Sequence, residues 1–96
     1  MPVLPDDEIR QQLADLPEWA LGDGRITREY RLDDFRQTVA FVVRIAFEAE
    51  AANHHPDLDL RYNRLHVALS THSEGGVTAK DLELARAIEG LAPQPR

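Results

Sequence analysis

Residues 54–72, HHPDLDLRYNRLHVALSTH, decide how this chain folds. Leu58, Leu60 and Tyr62 alternate with polar residues, which is the period of a strand with one buried face. Asn63-Arg64 reads as a tight turn, and Leu65, Val67, Leu69 and Thr71 resume the apolar parity on a second strand. His66, Ala68, Ser70 and His72 then fall on its opposite side. Upstream, Trp19 and Leu21 alternate with polar neighbours, and Gly22-Asp23-Gly24 is a turn. Ile26, Tyr30 and Leu32 share one parity beyond it, so a second hairpin is expected.

Helical patterns fill the rest. Pro5 with Asp6 and Asp7 opens a helix, with Ile9, Leu13 and Leu16 on one stripe and Pro17 ending it. Asp34 and Gln37 have capping-box spacing, and the helix from Asp34 to Ala52 spans about 19 residues, roughly 28 Å. Phe35, Val39, Phe41, Val42, Val43, Ile45 and Phe47 leave it only a narrow polar stripe at Gln37, Arg44 and Glu48. A helix so apolar needs cover on two sides; a sheet supplies one, and a second copy of the chain is the economical source of the other. After Gly75-Gly76, Thr78 and Asp81 form a second capping box, opening a helix with Leu82, Ala85, Ile88 and Leu91 inward. The order is α-β-β-α-β-β-α, an α+β fold with a four-stranded antiparallel sheet and three helices packed on one face.

Ninety-six residues suit a single domain over 1–96, with 93–96 a flexible tail. Seventeen acidic against eleven basic side chains give a net charge of −6, which argues against nucleic acid or an anionic membrane as direct partner. With no cysteine, disulfides, thiolate metal ligands and thiol nucleophiles are excluded, and a reducing, cytoplasmic setting is expected. No stretch approaches the roughly 20 apolar residues that span a bilayer.

Three of the four histidines stand where the chain changes direction: His54 and His55 after a helix, and His72 at a strand end. Each candidate also has a structural reading. His54 suits a helix C-terminus, Glu50 could be its ion-pair partner one turn back, and Asp81 is accounted for as the N3 residue of its capping box. His66 reads as a solvated or interface histidine and Trp19 as core, although an aromatic beside a cleft can stack on a flat ligand. A metal site is disfavoured, since neither H-E-x-x-H nor H-x-H occurs and adjacent histidines rarely chelate one ion. Ser70, Thr71 and Ser73 flank His72, but strand neighbours do not face one another, so a nucleophilic arrangement fits poorly. Metal-free acid–base chemistry fits best, because imidazole titrates near neutrality.

The run Glu50-x-x-x-His54-His55-Pro56, then Tyr62, then Ser70-Thr71-His72, then Asp81 resembles the signature of pterin-4a-carbinolamine dehydratases. Five, nine and eight residues separate Pro56, Tyr62, His72 and Asp81, and the likeness covers some nine-tenths of the chain. Asp57-Leu58-Asp59-Leu60 stands where some members carry a more aromatic segment. The resemblance implies dehydration of 4a-hydroxytetrahydropterin to quinonoid dihydropterin and water, without metal or organic cofactor, in homodimers or homotetramers. It implies His54 and His72 as the acid–base pair, His55 chiefly as substrate binder, Glu50 as orienting a histidine, and Asp81 as shaping the site. Asn53, His54, His55, Ser70, Thr71, His72 and Ser73 match the family's pterin-contacting stretches. Animal members of the family also serve as dimerisation partners of a homeodomain transcription factor, and some bacterial relatives act as assembly factors without evident catalysis, so a non-catalytic scaffold is the alternative reading.

Overall fold

The computed structural model describes residues 2–93. Of the expected tail, residues 94–96 lie outside the described residues. The elements are α1 (Asp6–Gln12), β1 (Ala20–Gly22), β2 (Arg25–Arg31), α2 (Phe35–Ala52), β3 (Asp57–Arg61), β4 (Arg64–Leu69) and α3 (Ala79–Leu91). All strand pairs are antiparallel and the sheet order is β1-β2-β4-β3, so α2 carries the chain from β2 past β4 to the far edge. The fold is the α+β arrangement read from the sequence.

Local chemistry explains the helix starts. Asp34 is extended and its carboxylate accepts the Gln37 amide at 2.9 Å, while the Thr38 hydroxyl donates to the Asp34 carbonyl at 2.8 Å. Thr78 and Asp81 form the complete reciprocal box at the start of α3. The first helix is shorter than its apolar stripe. At Leu13 the backbone tightens into a 3-10 turn that runs to Asp15, a common way for a helix to end. Ile9, Leu13 and Leu16 are nonetheless all buried.

Ile26 and Tyr30 of β2 and Leu65, Val67 and Leu69 of β4 form the sheet side of the core. Phe41, Ile45 and Ala49 of α2 and Leu82, Ala85 and Ile88 of α3 lie over them. Residues of the other parity, including Glu29, Arg31, Asp59, Arg64 and His66, are exposed, so the helices cover a single face. Trp19 is core, as the simpler reading had it: its indole N–H donates to Glu89 Oε1 at 3.0 Å, and the Tyr30 hydroxyl donates to the same oxygen at 2.7 Å. Burial, then the Glu89 carboxylate, push the Tyr30 phenol well above its ordinary value.

The β1–β2 turn is Asp23-Gly24, both at positive φ, as its composition suggests. The β3–β4 turn lies one residue earlier than expected. Arg61 pairs with Arg64, which leaves Tyr62 and Asn63 as the loop. Asn63 is held in place by Leu32: its carbonyl accepts the Leu32 amide at 2.8 Å and its side-chain amide donates to the Leu32 carbonyl at 3.3 Å. The positive φ, +50°, therefore falls on Tyr62, which leaves the apolar parity of Leu58 and Leu60 and is 66% exposed.

Candidate active site

Three chain segments meet at one end of the sheet. The first is the close of α2. Asn53 adopts the left-handed conformation, its amide donates to the Glu50 carbonyl at 3.1 Å, and the His54 amide donates to the Ala49 carbonyl at 3.0 Å. This paired closure reverses the chain and sends His54 back beneath the helix. The second segment follows β4. The Thr71 amide donates to the Gly76 carbonyl at 2.8 Å, and the Glu74 and Gly75 amides both donate to the Thr71 carbonyl, so residues 71–76 form a closed loop with His72 on it. The third is the first turn of α3, with Thr78 and Asp81.

Asp81 joins all three. It is fully buried, and its Oδ2 accepts the Thr78 amide and the Thr71 hydroxyl, each at 2.9 Å. Its Oδ1 lies 2.5 Å from His54 Nε2. An ionised carboxylate only accepts, so Nε2 carries a proton; in the neutral imidazole Nδ1 then has the lone pair. Thr71 has a single hydroxyl proton, given to Asp81, so in the 2.8 Å contact between the two threonines Thr78 donates. The Thr78 oxygen in turn accepts the Lys80 amide at 3.3 Å. The side-chain oxygens of Thr71, Thr78 and Asp81 all have partners, which makes the network behind His54 rigid.

The second histidine is held differently. His55 Nε2 lies 2.8 Å from Glu50 Oε1, with both side chains largely in solvent. This corrects the expected Glu50–His54 pair. Regular helical spacing would bring those two together, but the left-handed turn at Asn53 swings His54 inward and returns His55 to Glu50. Asp81, for its part, holds both roles considered for it, one oxygen capping α3 and the other fixing His54.

A cleft of about 370 Å³ opens over these groups, lined by Asn53, His54, His55, Ser70, Thr71, His72, Ser73 and Lys80. All seven residues expected to contact a ligand are on its wall. Glu50 and Asp81 are not; they grip the histidines from behind. Lys80 had no signal in the sequence beyond its place inside the capping box, yet among the described residues it is the one lysine or arginine lining the cleft. Thr78 was expected only as a cap and is also part of the network behind His54. His66 is exposed on the outer face of the sheet, opposite Glu29 and Asp59. A groove of about 390 Å³ lies there, walled by Glu29, Asp59, Arg61, Arg64 and His66, but it gathers no second histidine. Among the described residues no group of three or more His, Asp or Glu side chains could hold a metal ion. Nor is any described helix long and apolar enough to cross a membrane.

The family model described as "Pterin 4 alpha carbinolamine dehydratase" matches residues 2–91. A protein of Chloroflexus aurantiacus, provisionally named pterin-4-alpha-carbinolamine dehydratase, is 53% identical over 95% of this chain and 98% of its own. A similarly named protein of Rhodospirillum rubrum is 44% identical over 92% of this chain and 94% of its own. Among solved structures, a transcriptional coactivator/pterin dehydratase of Brucella melitensis superposes with a TM-score of 0.90 at 36% identity, covering 95% of this chain and 99% of that one. A pterin dehydratase-like protein identified as a RuBisCO assembly factor in the alpha-carboxysome shares the fold, with a TM-score of 0.68 at 17% identity over 81% of this chain and 93% of that one.

Proposed function

The chain belongs to the pterin-4a-carbinolamine dehydratase family, and on that premise we propose that its cleft dehydrates 4a-hydroxytetrahydropterin to quinonoid dihydropterin by histidine acid–base catalysis. The enzyme is a hydro-lyase. The C4a–oxygen bond breaks as the hydroxyl gains a proton and leaves as water. N5 loses its proton, and the N–H electron pair becomes the C4a–N5 double bond. One proton is delivered and one removed, which suits imidazoles that trade roles within a turnover.

His54 and His72 carry these transfers in this reading. Asp81 fixes the His54 tautomer and leaves Nδ1 as the working atom, while His55, braced by Glu50, binds the pterin together with Asn53 and Ser70–Ser73. The single observation that supports this most is the convergence of His54, His55 and His72, from two separated segments, on one cleft with a buried carboxylate behind it. The reading covers residues 1–96 as one domain acting in the cytoplasm, and it requires no metal. Purified protein should therefore speed the decay of enzymatically generated 4a-hydroxytetrahydropterin, with the same rate in the presence of a chelator. Loss of activity on chelation, restored by zinc, would overturn the metal-free mechanism.

Assembly as a homodimer or homotetramer belongs to the same proposal. Phe41, Ile45 and Ala49 take the core side of α2, while Phe35, Val39, Val43 and Phe47 form an exposed stripe, Phe47 at 73%. A second copy laid on that stripe would cover it. Light scattering should report more than a monomer at micromolar concentration, and Phe47→Glu should give a folded monomer. A wild-type monomer would contradict the proposal. The scaffold alternative draws on this same stripe, and a folded assembly that leaves the pterin untouched would favour it.

A further inference from the structure

The loop that carries His72 is closed by contacts from outside the site. Val3 and Leu4, just ahead of α1, run against it: the Leu4 amide donates to the Val77 carbonyl at 2.9 Å. At Gly76 a Cβ would meet Val3 Cγ1 at 2.9 Å, Cγ2 at 3.3 Å and Cβ at 3.8 Å, and nothing else within 4 Å ranks nearer. Gly76 does not have a positive φ, so its own backbone admits an L side chain; the obstacle is Val3 alone. Val3 is 45% exposed, so its outer side faces solvent; what holds it on Gly76 is its stiff β-branched side chain and the next residue's amide, fixed on Val77. On the far side, the Gly76 carbonyl accepts the Thr71 amide, and Thr71 is tied through its hydroxyl to Asp81. Contact runs without a gap from Val3 through Gly76 to Thr71 and the residue after it, His72.

We propose that Val3 is a positioning residue for the active site: seated on Gly76, its side chain sets the height of the 71–76 loop and so where the His72 imidazole stands over the cleft. The inference rests on the acid–base role given to His72 above. It also accounts for a glycine at 76, where the backbone conformation does not demand one. Since Thr71 is anchored to Asp81, a push on Gly76 moves the free part of the loop, and His72 with it. Misplacement of about 1 Å in a reacting group costs up to about a hundredfold in rate.

The test compares wild type, Val3→Ala, Gly76→Ala and the double variant by steady-state dehydration kinetics, thermal melting and histidine-ring NMR. Gly76→Ala should lower kcat about tenfold, change KM less, and shift the His72 ring signals while leaving those of His54 in place. The double variant removes both valine methyls that the new Cβ would strike, so kcat and the His72 signals should return most of the way to wild type. A Gly76→Ala protein with wild-type kcat and His72 signals, or a double variant as slow as Gly76→Ala, would overturn the proposal. If Gly76→Ala does not fold, Val3→Ala decides, with displaced His72 signals and kcat down about threefold expected and wild-type values contradicting. Wild-type protein inactive on the pterin would sink the functional reading instead; the NMR comparison would still decide the positioning.

Discussion

His54 and His55 are neighbours in the chain, and each meets a carboxylate, but the two pairs are physically unlike. The His54–Asp81 pair lies at 2.5 Å with side chains 11% and 0% exposed, and Asp81 accepts two further hydrogen bonds. The His55–Glu50 pair lies at 2.8 Å with side chains 60% and 81% exposed. Water screens the second pair and lets it exchange partners, so it contributes little to stability. The first is desolvated, and its energy depends on every partner being present. A fixed imidazole with one free nitrogen suits proton transfer, whereas a solvent-exposed one at the cleft rim suits ligand capture.

Asp81→Asn strikes the buried pair hardest. The amide cannot accept from His54, Thr71 and Thr78 together, so urea unfolding should show a loss of about 2–3 kcal/mol. Turnover at a temperature where the variant is folded should fall about a hundredfold, because the His54 tautomer is no longer fixed. Stability unchanged within error would mean that the network is not what holds the three segments together.

His55→Ala probes the other pair through the ligand. Affinity for a stable dihydropterin analogue, measured by calorimetry, should weaken by about 1–3 kcal/mol, with melting temperature nearly unchanged. Glu50→Gln should do least, staying within about 0.5 kcal/mol of wild type in stability and changing analogue affinity by about twofold. An effect of Glu50→Gln as large as that of Asp81→Asn would erase the distinction between the pairs.

Those two pairs also mark the limit of what could be read from the chain alone. The helix starts at Asp34 and Thr78 were legible because a cap and its N3 partner are three residues apart, and both caps form. The strand parities followed from alternation, and element ends marked His54, His55 and His72 one by one as candidates; that they share one site was implied only by the family resemblance. Partner choice was not legible. The four-residue spacing of Glu50 and His54 holds only while the helix continues, and one left-handed residue at Asn53 exchanges the partners. Tyr62 misled for a similar reason: asparagine accepts a positive φ more readily than tyrosine, but Asn63 is held by Leu32, and the left-handed position falls on the tyrosine. Lys80 reaches the cleft through the tertiary approach of α3, for which local sequence carries no mark.

The account depends most on His54 being the buried, oriented proton-transfer group. The direct measurement is turnover of 4a-hydroxytetrahydropterin by His54→Ala, taken with its dihydropterin affinity and a circular dichroism spectrum matching wild type. Turnover should fall by about 10²–10⁴-fold, towards the lower end if His72 substitutes in part, with affinity within about twofold of wild type. A folded His54→Ala protein that turns over like wild type, or one that loses affinity in proportion to rate, would contradict it.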